Sequence, residues 1–429
     1  MTDVAAVGAA MHELIQELYP ICRSITGQGL RQTLSRLALE IPLLQHEVPS
    51  GTAVFDWTVP REWNIHDAYV KNPQGERVID FRRHNLHVVN YSVPVQRTMT
   101  LAELLPHLHS LPEQPELIPY RTSYYREAWG FCLPHRQLQQ LPDTEYEVLI
   151  DASLEDGHLT YGECLLEGRT QEEVLISCHA CHPSLANDNL SGLVVATFLA
   201  KHLLRRPKRR YAYRFVFAPG TIGAITWLSR NEARARHIRH GLVLTCIGDR
   251  ASFTYKRSRR GDAAIDRAVE HVLSHTDAGH RIVPFAPYGY DERQYCSPGF
   301  DLPVGCLMRS HHGQFPEYHT SADAPDFVSA DALAGALGLL LTVVDVLERD
   351  GRYMNLNPKC EPQLGRRGLY AATGGSTPRE LEMAMLWVLN QSDGNASLLE
   401  IARRAGLPFS VVHQAAERLQ RHDLLAPVT

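Results

Sequence analysis

No uncharged apolar stretch in this chain approaches the roughly 18 residues that a membrane span requires. The longest, Ala332 to Val344, ends at Asp345. An excess of basic charge is missing as well. The 43 Lys and Arg stand against 48 Asp and Glu, a formal net charge of -5, which argues against general attraction to nucleic acid or to an anionic membrane surface. Met1-Thr2-Asp3-Val4-Ala5 lacks a basic region ahead of an apolar core. The nine cysteines, odd in number and mostly set in apolar runs, do not form the pattern of a secreted disulfide framework. Together these absences predict a cytoplasmic protein with reduced thiols and no membrane partner. What remains, 429 residues that are 44% hydrophobic and 21% charged, suffices for two or three globular domains.

Helical spacing opens the chain at Met11, Leu14, Ile15 and Leu18, breaks at Pro20, and returns from Gly29 to about Leu39. Residues 48 to 164 change character. Asp67-Ala68-Tyr69-Val70 and Leu86-His87-Val88-Val89 alternate, Pro73-Gln74-Gly75 reads as a hairpin turn, and 145–150 and 158–163 read as strands, so this stretch is a β-rich insertion. From 173 onward strands (174–176, 213–217, 242–247) alternate with helices (193–204, 224–236, 262–275). That order predicts an α/β fold, a mostly parallel sheet flanked by helices, with ligands beyond the carboxyl ends of the strands. Ser329 is placed to cap a long helix through Leu347. Residues 365–368 and 373–378 read as linker, and three helices follow, Pro378 to Asn390, Ser397 to Ala405 and Ser410 to Arg421, with the spacing of a winged helix-turn-helix. Residues 377 to 429 hold five Arg and no Lys against six acids. DNA readout needs a basic recognition helix, so this tail is read as an interaction module through which copies of the chain associate.

The densest chemistry lies in Cys178-His179-Ala180-Cys181-His182-Pro183, continued by Asn187-Asp188-Asn189-Leu190-Ser191-Gly192 at the start of a helix. Imidazole nitrogen plus carboxylate is the donor set of a catalytic zinc. Taken alone, Asp188 is equally a helix cap. Cys-x-x-Cys-His also spells a haem attachment or a dithiol pair; the former needs export, for which no signal is seen. Glu317-Tyr318-His319 offers a second imidazole beside carboxylates, and Asp249 is either a turn residue or a ligand. Lys256-Arg257-Ser258-Arg259-Arg260 reads as a solvated loop or as a fork for a substrate anion.

The combination of a strand ending in His179, Ala186-Asn187-Asp188-Asn189 with Ser191-Gly192 opening a helix, and Tyr318-His319-Thr320-Ser321 with Asp323 resembles the zinc aminopeptidase family that also contains glutaminyl cyclases. A bacterial branch with an inserted β-rich domain and a C-terminal winged helix is similar also at Leu18-Tyr19-Pro20-Ile21-Cys22-Arg23-Ser24, Phe55-Asp56-Trp57 and Thr122-Ser123-Tyr124-Tyr125. The resemblance implies a zinc domain over 1–47 and 165–360, an insertion over 48–164 and a winged helix over 376–429. It implies metal ligands His179, Asp188, Asp249 and His319. The family's adjacent acidic pair is absent: Gly220 and Thr221 stand there, and Cys181 replaces another usual Asp. One zinc ion is therefore expected rather than two, with Glu292 as general base and Arg257, Arg259 and Tyr318 contacting substrate. The implied activity is hydrolysis of an amide bond in a small aminoacyl or peptide-like conjugate in a biosynthetic pathway. The alternative is a catalytically weakened binding protein on the same fold.

Overall fold

The computed structural model describes residues 4–206, 208–276, 279–370 and 380–428. The expected linker at 373–378 lies outside the described residues. The chain divides into two compact units, the larger formed by 1–261 and 281–337, the smaller by 262–280 and 338–429.

The larger unit is built on an eight-stranded sheet. Its order is Leu44–Pro49, His158–Leu166, Ala212–Ala218, Glu173–His179, Ile238–Leu244, Val304–Met308, Phe253–Lys256 and His280–Val283. The four strands from Ala212–Ala218 to Val304–Met308 pair in parallel, while Leu44–Pro49 with His158–Leu166, His158–Leu166 with Ala212–Ala218, and Val304–Met308 with Phe253–Lys256 pair antiparallel. Every residue of Glu173–His179 and Ala212–Ala218 is buried. Two-sided burial is why these strands read as short continuous apolar runs rather than alternating ones. The strand after the second helix runs Ile238–Leu244, four residues earlier than its apolar content suggests, because His240 and Gly241 are also buried in it.

One polar feature sits inside this sheet. Arg214, 2% exposed, forks onto Glu173 at 2.6 and 2.7 Å and also bonds Glu163 on the neighbouring strand. Paired this way, the buried guanidinium keeps its charge.

The insertion forms its own four-stranded antiparallel sheet, ordered Arg77–Asp80, Glu62–Lys71, Glu145–Glu155, Val95–Thr100. Val70, Ile79, Met99, Phe131, Tyr146 and Val148 pack beneath it as a separate core. Gly75, at φ 81°, makes the expected turn between its first two strands. The stretch 48–164 also contributes the strand His158–Leu166 to the large sheet.

In the smaller unit the strands Asp393–Ser397, Arg352–Asn355 and Leu425–Pro427 form a three-stranded sheet beside the helices Glu380–Gln391, Leu398–Ala405 and Phe409–Arg421. Ser397 and Glu400 form a capping box at the second helix, and Gly406 at φ 64° ends it. The winged helix thus starts with Arg352–Asn355, upstream of the expected 376. The helix Ala330–Arg349 is long and apolar enough to cross a membrane, but its most apolar window is 61% buried within the protein, as a core helix is.

Candidate active site

The strand Glu173–His179 ends where its parallel neighbours also end, and the chain then loops through 180–185 into a turn at Ala186–Ser191 and the helix Gly192–Leu204. This is the ligand-binding edge of such a sheet. Asp188 lies at its centre, fully buried. Four side chains converge on its carboxylate. His179 Nε2 is 2.8 Å from Oδ1. His182 Nδ1 lies 3.3 Å from Oδ2, and His319 Nε2 2.9 Å from it. The Tyr290 hydroxyl donates to Oδ2 at 2.9 Å. Donor atoms of His179, His182 and Asp188 all lie within 4.8 Å of one another.

The backbone is aimed by a second acid. Asp323, buried, accepts the N–H groups of Asn187 at 2.5 Å and Asp188 at 2.9 Å. Burial lifts its pKa to about 7, against the pull of those two amides. For Asp188 the balance is reversed. Burial opposes its charge, but His182 and His179 outweigh that and hold its pKa well below the carboxylate range. His319 is carried on a loop that the insertion grips. Tyr120 N–H donates to His319 O at 2.7 Å and Ser321 N–H to Ile118 O at 2.9 Å. The Tyr120 ring stands 5.0 Å from the rings of both His182 and His319. Tyr290 stacks on His179 at 3.9 Å and Tyr318 on His319 at 3.9 Å, their hydroxyls 3.0 Å apart.

The structure therefore brings together His179, Asp188, His319 and Tyr318, and adds His182, Tyr290, Tyr120 and Asp323. It corrects three sequence expectations. Asp249 is not in this group: its Oδ2 accepts Asn187 Nδ2 at 2.8 Å and Ser310 N–H at 3.2 Å, and its Oδ1 accepts Ala251 N–H at 2.7 Å. It bolts the Asn187 turn in place. Glu292 is equally occupied. Its Oε1 takes the Lys256 ammonium at 2.7 Å and its Oε2 the Tyr290 N–H at 3.1 Å, with both charged residues buried. Such a carboxylate is no free base. Arg259 is 44% exposed and pairs with Asp301 at 2.8 Å, as Arg260 does at 3.2 Å, so it is a surface cation rather than a substrate fork. Arg257 begins the loop after the buried strand, its N–H donating to Val283 O at 3.0 Å.

Two buried side chains near the cluster have neither hydrogen-bond partner nor ion pair among the described residues. His312, 3% exposed, leaves both ring nitrogens unpaired, with its ring edge-on to Tyr290 at 5.7 Å. Burial, with His311 and Lys256 adding to it, lowers its pKa to about 4, so the imidazole is neutral at pH 7. Asp291, fully buried, has both oxygens unpaired, and burial with the Glu292 charge raises its pKa to about 8. At position 220, where the resemblance expects an acid, a Cβ would sit 3.0 Å from the His179 Cβ. The glycine is what lets the backbone approach this ring, so the acid's place is nearly closed.

A family model described as a domain of unknown function (DUF4910) matches residues 12–350, and a winged helix-turn-helix model matches 351–427. A curated protein of Clostridium acetobutylicum, named as a putative polysaccharide biosynthesis protein with aminopeptidase-like domain, is 54% identical over 97% of this chain and 96% of its own. The crystal structure of a putative peptidase from the same organism superposes with TM-score 0.95 at 52% identity, covering 99% of this chain and 97% of that one. A zinc aminopeptidase from Bacillus subtilis gives TM-score 0.56 at 12% identity over 79% of this chain and 94% of that one, a likeness of fold.

Proposed function

The chain belongs to the family described as a domain of unknown function (DUF4910), built on an aminopeptidase-like fold with a C-terminal winged helix, and from that membership we propose a metal-dependent amide hydrolase. One observation carries the reading: two imidazoles and a carboxylate within 4.8 Å of one another, buried, with a third imidazole 2.9 Å from that carboxylate, at the carboxyl end of the parallel sheet. Three imidazole nitrogens with one carboxylate oxygen suit zinc, and His179, His182, Asp188 and His319 would hold a single ion. Such an ion supplies Lewis acidity toward a carbonyl oxygen and lowers the pKa of a bound water. The remaining work falls to this chain's side chains. The Tyr290 hydroxyl, its proton on Asp188, steadies the carboxylate, and the Tyr318 hydroxyl 3.0 Å from it is the one left to donate toward a substrate oxygen. Tyr120 and the stacked rings keep bulk water off the carboxylate. His312, neutral and unpaired beside Tyr290, is the imidazole that would take the proton of the attacking water at a ring nitrogen and return it to the departing amine.

The relative's name supports a substrate met in biosynthesis, a small aminoacyl or peptide-like conjugate, and the winged helix is proposed as an association module. A second reading has its own support. Gly220 and Thr221 offer no carboxylate and Glu292 is locked to Lys256, which suits a metal-bearing binding protein without turnover. Amine release from a panel of aminoacyl amides separates the two. Hydrolysis that falls at least about a hundredfold in His319→Ala supports the enzyme. Equal, background rates in both proteins leave only binding.

A further inference from the structure

Away from the His–Asp cluster, the hairpin Ala53–Val54 and Trp57–Thr58 lifts two aromatic rings into solvent at its tip. Phe55 is 52% and Trp57 45% exposed. Phe55 takes a left-handed φ of 56°, which a bulky side chain adopts only when its surroundings impose it. Phe55 stands edge-on to Phe300 at 5.7 Å, and Trp57 to Tyr125 at 5.3 Å. The hairpin and the helices Ile222–Arg230 and Glu292–Tyr295 wall a cleft of about 360 Å³, with Asp56, Glu232 and Gln294 among its polar lining. Neither Asp56 nor Glu232 has an ion-pair partner among the described residues, and no basic side chain lines the cleft.

The cleft is joined to the cluster through shared elements. Helix Ile222–Arg230 begins just after Gly220, which faces His179, and helix Glu292–Tyr295 begins just after Tyr290, which donates to Asp188. Tyr124, next to Tyr125, has its hydroxyl 3.1 Å from that of Tyr120, whose ring borders His182 and His319.

We infer that this cleft is a binding subsite for a neutral or amino-bearing saccharide unit. Exposed aromatic faces are negative at their centres and accept the weakly positive C–H face of a sugar ring or an ammonium group. Carboxylate and amide oxygens at the rim accept hydroxyl hydrogens. The same carboxylates, with no basic lining, reject a sugar acid or sugar phosphate. The volume suits one or two sugar units. This inference stands on the cleft alone and needs no turnover at the cluster.

The test is saturation-transfer NMR on the full chain with glucosamine, N-acetylglucosamine and glucuronate, repeated with Trp57→Ala and Glu232→Gln after thermal melts confirm that both variants fold. Transfer to glucosamine or N-acetylglucosamine ring protons, about tenfold weaker affinity in Trp57→Ala, and silence from glucuronate support the subsite. No transfer from either neutral or amino sugar overturns it, as does an equal response from glucuronate or an unchanged signal in Trp57→Ala. Sedimentation of the same samples adds one more outcome: a dimer lost in Trp57→Ala without any sugar response assigns the aromatic face to self-association and overturns the saccharide.

Discussion

Replacing Glu292 by Gln separates a structural ion pair from a catalytic base. Lys256 and Glu292 are 1% and 0% exposed, joined at 2.7 Å, with Tyr288 O also accepting from the ammonium at 2.6 Å. Removing the negative partner leaves a buried cation with only neutral acceptors, a loss of about 3–5 kcal/mol for a broken buried pair. At about 2.1 cal/mol/K per residue, a cooperative unit of roughly 320 residues has an unfolding entropy near 0.7 kcal/mol/K, so Tm should fall by about 4–7 °C. The double variant Lys256→Met/Glu292→Gln removes the stranded charge and should regain most of that loss. Differential scanning fluorimetry on the three proteins measures both steps. Unchanged Tm in Glu292→Gln, together with a hydrolysis rate lowered about a thousandfold or more, would refute the pairing and return Glu292 to the role of proton acceptor.

Three further outcomes follow from the same geometry. Arg214→Met should cost about 3–5 kcal/mol in urea unfolding, since Glu163 and Glu173 are left charged and buried, while replacing all three by apolar residues should recover it. Acid should destabilise the fold between about pH 6.5 and 4. Burial, followed by Arg210 and Arg239, holds His240 near 4, so between those pH values the unfolded chain binds a proton that the folded one refuses. At about 1.4 kcal/mol per pH unit the contribution of His240 approaches 3 kcal/mol, and His240→Phe should remove that share of the pH dependence of Tm over this window while the share of the equally depressed His312 remains. Asp323→Ala frees the backbone amides that aim Asp188, and zinc affinity measured by competition with a chelator should fall about 10–100-fold while the melting profile of the smaller unit stays unchanged.

The alternation of short apolar runs with helical spacing was enough to read the central sheet, because strands buried on both faces leave that signature. The hairpin turn at Gly75 and the helix starting near Ser397 were equally legible, being local. The first strand of the winged helix was not: Arg352–Asn355 is four residues long, with a single buried residue, and is set directly behind a long helix, so it carries no period of its own. In the site, His179 and Asp188 could be read because their motif lies at a strand-to-helix junction, and His319 because it stands beside carboxylates in Glu317-Tyr318-His319. His182 is absent from the ligands that the resemblance implies, yet the loop turns its ring back onto Asp188. Asp249 and Glu292 illustrate the opposite error. Whether an acid in a loop faces a ligand or a neighbouring amide depends on partners far away in sequence, Asn187 in one case and Lys256 in the other. The buried His312 carried no local signal at all, for nothing in His311-His312-Gly313 distinguishes a solvated ring from an unpaired one.

Metal analysis by mass spectrometry of the full chain, purified without added metal and compared with His182→Ala and Asp249→Ala, tests the central claim most directly. About one zinc per wild-type chain is expected, lost in His182→Ala and retained in Asp249→Ala at the fraction that remains folded. Zinc kept by His182→Ala, or two ions per wild-type chain with one removed by Asp249→Ala, would contradict it.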